Sequence, residues 1–156
     1  MSDDKIHIRK SSFADTRTCD YTQVSEAQLL EASRQHINDI GLAMRFFRSL
    51  ILRAMQVHDF DKFTDIKSFH EDFLTGFKQT GWWDRHRRVN RHHLLVADGV
   101  PEDVNLIDVL DLIADCVMAG MGRSGQVREF NIGPEVLMTA YKNTVELLKN
   151  QVVVDE

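Results

Sequence analysis

An all-α fold is predicted for this chain, and three observations predict it. Only two of its 156 residues are proline, and helix-forming residues are plentiful. Apolar residues recur at steps of three and four in several long segments. Helix boundaries are marked by a capping-box spacing at Ser25, by glycine breaks at Gly76, Gly81, Gly120 and Gly122, and by Pro134 at a first-turn position. Together they predict one compact domain of five to seven helices.

Taken in order, residues 1–24 are polar and unpatterned and read as an extended arm with one short turn. The spacing Ser25-x-x-Gln28 opens the first helix, which runs to about Ala54. Leu29, Ser33, His36, Ile40, Met44, Phe47 and Ile51 share one face of it, so His36 is expected to point inward. A turn over 56–64 carries His58-Asp59. A second helix over 66–77 has Phe69, Phe73 and Phe77 as its stripe, and Gly76 and Gly81 bracket a break before Trp82-Trp83. Asp98-Gly99-Val100-Pro101 is a turn signal. The helix after it, over 104–119, has Leu106, Leu110, Ile113 and Val117 on one face and Asp108, Asp111 and Asp115 on another. Three like charges in a row destabilise a helix mildly, so this row calls for a cation or for the nearby arginines. Pro134 starts the last helix, packed through Val136, Leu137, Ala140, Thr144 and Leu147. The domain is expected over 25–150, with 151–156 a tail.

Composition narrows the function classes. Hydrophobic residues make up 43% and charged residues 28%, an ordinary globular balance. The net charge of −5 lacks the basic footprint of a general nucleic-acid binder. No apolar run approaches the ~18 residues of a membrane span, and Met1-Ser2-Asp3-Asp4-Lys5 is not a signal sequence. Cys19 and Cys116 show no paired spacing, which fits free thiols in a cytoplasm.

The chemistry-bearing residues are concentrated. Six of the seven histidines (His36, His58, His70, His86, His92, His93) lie between positions 36 and 93. An isolated His-Asp dipeptide is common on surface loops, and an inward histidine is more often a satisfied core residue than a ligand. The clustering of histidine and aspartate is what points to a metal centre assembled from several elements. Imidazole and carboxylate together suit Zn, Mn, Fe, Co or Ni, with Mg admissible. Trp82-Trp83-Asp84-Arg85-His86-Arg87-Arg88-Val89-Asn90-Arg91-His92-His93 is a basic, aromatic and histidine-rich patch in an acidic chain. It reads either as a solvated helix face over core tryptophans or as a site for an anionic ligand.

The ordered pattern His36, His58-Asp59, His86, His92-His93, Asp115 resembles the HD-domain superfamily of metal-dependent phosphohydrolases, which are all-α. The likeness spans roughly residues 25–119. It extends to the HD-GYP cyclic-dinucleotide phosphodiesterases. His58-Asp59-Phe60-Asp61-Lys62 is similar to their HDxGK, with Asp61 at the glycine. His92-His93 precedes Asp98-Gly99-Val100-Pro101 as their histidine pair precedes DGxGYP, and Ala114-Asp115 is similar to their distal Ala-Asp. Small HD-like proteins of bacteriophages and bacteria also resemble it, so the cytoplasm in question could be that of a phage host.

The resemblance implies a ligand set: His36, His58, Asp59 and Asp115 (or Asp111) around one metal, and His86 with His92 or His93 around a second, with Asp59 as the bridge. It implies catalysis through Asp59 and Lys62, and hydrolysis of a small phosphorylated ligand, a nucleotide first among them. Arg85, Arg87 and Arg91 would then hold phosphate, and Trp82 or Trp83 would stack a base. Two other readings stand beside it: an HD-fold di-iron oxygenase, and a non-catalytic module that sequesters a nucleotide. A homo-oligomer is compatible with all three.

Overall fold

The computed structural model describes residues 5–13 and 15–155. These form six α-helices and two short strands: β1 (Ile6–Arg9), α1 (Glu26–Val57), α2 (Phe60–Thr64), α3 (Ile66–Leu74), α4 (Trp82–Val89), α5 (Leu106–Ser124), α6 (Pro134–Lys149) and β2 (Val152–Asp155). Short 3-10 turns lie at Tyr21–Gln23 and Ala97–Gly99. The fold is all-α, as the periodicity predicts, and no helix is long and apolar enough to cross a membrane. The chain forms two compact units, one up to Ser49 together with Leu147 onward, the other Leu50–Glu146.

In the first unit, β1 and β2 pair in parallel, with Ile6 opposite Val152 and Arg9 opposite Asp155. The arm and the tail are therefore each other's partners, which neither segment shows by itself. Lys5 Nζ donates to the Asn150 carbonyl at 2.9 Å, and His7 Nδ1 lies 2.8 Å from Asp155 Oδ1. The capping box opens α1: Ser25 N donates to Gln28 Oε1 at 2.9 Å, and Gln28 N donates to Ser25 Oγ at 3.3 Å. The stripe expected to be buried on α1 is largely exposed. Leu29, Ile40, Met44 and Ile51 all keep more than 40% of their surface, and Ala32 is the buried residue.

In the second unit, Leu94, Val104, Val109, Leu112 and Ala140 form the core, joined by Val100, Leu106, Cys116, Ile132 and Val136. On α5 the buried face is Ile107, Asp108, Val109 and Leu112. Leu110 and Ile113, on the expected stripe, are exposed. Asn105 caps α5 by accepting from Ile107 N at 2.9 Å, and Asp108 reciprocates by accepting from Asn105 N at 2.9 Å. Thr144 Oγ1 on α6 accepts from Leu106 N at 2.9 Å. These bonds fix the start of α5, and with it the row Asp108–Asp111–Asp115.

Two local devices aim the histidine-bearing segment. Asp72 is fully buried and accepts from Thr80 N at 3.0 Å and Trp83 N at 3.1 Å, tying the break after α3 to the first turn of α4. Burial raises its pKa, and those backbone donors reverse the shift and hold it below the usual range. Gly99 packs against the backbone of His93: a Cβ there would collide with the carbonyl oxygens of His93 and Arg87. The Asp-Gly turn signal is thus a close approach that sets where the histidine pair lies. Helix α3 stops at Leu74, short of the expected 77, because Gly76 and Phe77 both adopt positive φ.

Candidate metal centre

The centre is built around Asp59. Helix α1 ends at Val57, His58 N still bonds the Ala54 carbonyl, and Asp59 turns to φ 54°, ψ 19° before α2 begins. Left-handed backbone is uncommon outside glycine, although aspartate tolerates it better than most residues. Its side chain faces four histidines drawn from three segments.

His86 Nε2 lies 3.3 Å from Asp59 Oδ1, His92 Nε2 lies 3.6 Å from the same oxygen, and His58 Nε2 lies 3.6 Å from Oδ2. The His58 and His92 rings stack at 4.3 Å between centroids, His92 and His93 are 4.3 Å apart, and His86 and His93 are 4.8 Å apart. Two three-residue groups with ligand atoms within 4.8 Å of one another result: His58, Asp59, His92 and Asp59, His86, His93. Asp59 belongs to both. His86 stands with His93 in one group, and His92 joins His58 in the other.

Carboxylates fix the rings from behind. Asp111 Oδ1 sits 2.8 Å from His58 Nδ1, and Asp61 sits 2.9 Å from His86 Nδ1. Each contact makes Nδ1 the hydrogen-bonded nitrogen and turns Nε2 toward Asp59, the carboxylate–histidine arrangement that orients metal-binding imidazoles. Asn90 holds the frame: its Nδ2 donates to Asp61 Oδ1 at 3.0 Å, and its Oδ1 accepts from Asp59 N at 3.0 Å. Lys62 Nζ donates to Asp59 Oδ2.

The residues fit a cation. Asp59 Oδ1, His86 Nε2 and His93 Nε2 are buried without a hydrogen-bond partner among the described residues. An unsatisfied buried polar atom costs about 1–3 kcal/mol, so three of them converging on one space call for a ligand. The electrostatics agree. Burial pushes the His92 and His93 rings down to about 4, helped by the neighbouring histidines, so both are neutral donors at pH 7. Burial alone would raise Asp59, but the His86 ring and the Lys62 ammonium beside it hold the carboxyl far below the usual range. Burial raises Asp111. Asp61, Asp111 and Asp115 stand beside the rings, and Lys62 pairs with Asp59.

Several expectations are corrected. His36 is not part of the centre. It is exposed, lines a hollow with Leu29, Ala32, Ser33 and Ile37, and belongs to neither group of possible ligands. Asp115 lies 4.0 Å from His58 Nε2, at the rim, whereas Asp111 contacts the ring directly. Arg85 pairs with Asp65, and Arg87 with Asp84 and Asp98. Arg91 clasps Asp108 through Nε and Nη2 at 2.8 and 2.9 Å and also reaches Asp103. These arginines are engaged by carboxylates and form no free anion site; Arg91 relieves the acidic row of α5, as the like-charge argument required. Trp82 is 2% exposed and stacks on His86 at 4.7 Å, so it supports a ring of the centre and is closed to a base. Asp61 and Asn90 are the working residues that sequence reasoning did not assign. Asp61 stood out as the acid in place of a motif glycine, and Asn90 as the residue two before the histidine pair.

No family model, curated protein or solved structure matches this chain.

Proposed function

We propose that the chain is a metal-dependent hydrolase of a phosphoester, with two metal positions that share Asp59. The observation that carries this reading is the buried, unpartnered ligand atoms of Asp59, His86 and His93, one of two possible ligand groups that share Asp59. The HD-like order of His58-Asp59, Lys62 and the later histidines favours phosphoryl chemistry. His58, Asp59 and His92 would hold one metal, and Asp59, His86 and His93 the other; the nitrogen-rich set favours Zn, Fe, Mn, Co or Ni over Mg. A divalent metal bound there supplies Lewis acidity and a water nucleophile near neutral pH. The chain's residues orient and balance. Asp111 and Asp61 hold the rings by Nδ1, Lys62 balances the charge of Asp59, and Asp115 adds a carboxylate beside His58. In the reaction, water adds to phosphorus, the ester P–O bond breaks, and the departing alcohol takes a proton.

Metal analysis of purified protein, then a phosphoester panel in Mn, Fe, Co, Ni, Zn and Mg, tests the reading. Two metals per chain and released phosphate or phosphomonoester are expected. Protein that holds no transition metal ends the proposal. Metal-loaded protein that binds a nucleotide and returns it intact would be a sequestering module instead.

A di-iron oxygenase is the second reading, favoured by one observation: the arginines of the 85–91 run are all paired with carboxylates, which leaves phosphate without those cations. It predicts O2 uptake by iron-loaded protein without phosphate release.

A further inference from the structure

A hollow of about 360 Å³ opens directly on the metal centre within the second unit. One wall is the last turns of α1, with Ile51 and Met55 four residues apart. The other is α5, with Leu110, Ala114 and Met118 four residues apart. His58, Asp111 and Asp115 are the polar residues of its lining, and on α5 the two aspartates alternate with the apolar residues. No lysine or arginine lines it. Met55, Leu110 and Met118 are 66%, 51% and 70% exposed, so this wall presents apolar surface to whatever enters.

The chemistry of this lining selects a ligand. A nucleoside polyphosphate would find no lysine or arginine in the lining for the phosphates beyond the one at the metals, and its base would find no hydrogen-bonding partner apart from His58, Asp111 and Asp115. An aliphatic or aromatic group would meet methionine, leucine and isoleucine, while a single polar head met the centre. The volume suits this. Small-molecule sites span roughly 300–1,000 Å³, and an apolar cavity of about 150 Å³ already takes benzene.

We infer that the hollow receives the apolar part of the substrate, so that the substrate is an alkyl or aryl phosphoester with one phosphoryl head and not a nucleoside polyphosphate. The inference rests on the metal-centre reading and adds the substrate class to it.

The probe is a series of non-hydrolysable n-alkylphosphonates, methyl to octyl, titrated calorimetrically into metal-loaded full-length protein, with metal content measured on the same sample. Each methylene that enters the hollow should tighten binding roughly fourfold. The double variant Leu110→Asp/Met118→Asp should flatten the series while retaining its metal. Both residues are exposed, and retained metal reports a folded centre. Protein that holds no metal removes the metal-centre reading and this inference with it. Protein that holds metal but binds every chain length alike overturns this inference alone, as does a chain-length dependence that persists in the double variant. If the series is flat and the double variant turns a dimer into a monomer in sedimentation, the hollow belongs to a second copy of the chain and the inference is again overturned.

Discussion

At the scale of single residues, Asp59 and the carboxylates behind the histidines set the geometry of the candidate centre. Asp59 faces His86 and His92 with one oxygen and His58 and Lys62 with the other. Replacing it with Ala should empty both metal positions, whereas His93→Ala should empty only the position shared with His86; metal stoichiometry by elemental analysis separates the two. Asp61 contacts His86 from behind. Such orienting partners change metal affinity roughly 10–100-fold, so Asp61→Ala should weaken one metal by that factor in a competitive chelator titration and leave the other near its wild-type affinity. Equal loss at both positions would show that Asp61 supports the fold around Asn90 rather than one ring.

At the scale of elements, two local locks hold the surroundings of the rings, one at the 97–99 turn and one at the start of α5. The 97–99 turn approaches the backbone of His93 through Gly99, where no side chain fits. Gly99→Ala should therefore push the turn off His93 and reduce occupancy of the His86–His93 position, read as a metal stoichiometry that falls from two toward one. Arg91 locks the start of α5 through buried Asp108, within its capping box. Its removal leaves that carboxylate without its cation, a loss of about 1–3 kcal/mol. Arg91→Ala should lower the thermal midpoint and leave ligand affinity in the folded protein unchanged. A raised Michaelis constant at unchanged stability would restore Arg91 to the substrate.

At the scale of the whole molecule, the buried histidines make stability depend on pH. His92 and His93 titrate at about 4 in the folded chain and near 6.5 once unfolded. Their folded pKa values are depressed, so the unfolded chain binds more protons between those values and is favoured there. Stability of the metal-free protein is thus full above about pH 6.5, falls as pH drops toward 4, and levels below it. Each ring contributes at most about 1.4 kcal/mol per pH unit over that window. Urea melts at pH 7, 6, 5 and 4 should show the midpoint falling, and His92→Gln should flatten the curve in part. Bound metal should oppose this loss and raise the midpoint at pH 7, an increment that a chelator removes.

The local rules of the chain determined the helices and their boundaries. Ser25-x-x-Gln28 caps α1, Pro134 starts α6, and the Asp-Gly turn at 98–99 is a turn, because caps, first turns and tight turns are satisfied by residues within a few positions of one another. The clustering of histidines around Asp59 was also legible, since the order of His58, His86, His92 and His93 survives folding. What periodicity could not say is which face of a helix meets a partner. His36 sits mid-stripe on α1 and is exposed, and the buried residues of α5, Ile107, Asp108, Val109 and Leu112, are none of the expected stripe. Nor could composition distinguish a free arginine from a paired one, because Arg85 and Arg91 find Asp65 and Asp108 20 and 17 residues away, and Arg87 reaches Asp98 11 residues on as well as Asp84. The tertiary structure alone decided how the rings point. His58 is aimed by Asp111, 53 positions on, and His86 by Asp61, 25 positions back; an imidazole's direction is set by whichever acceptor reaches its second nitrogen, and that acceptor arrives only when distant helices pack.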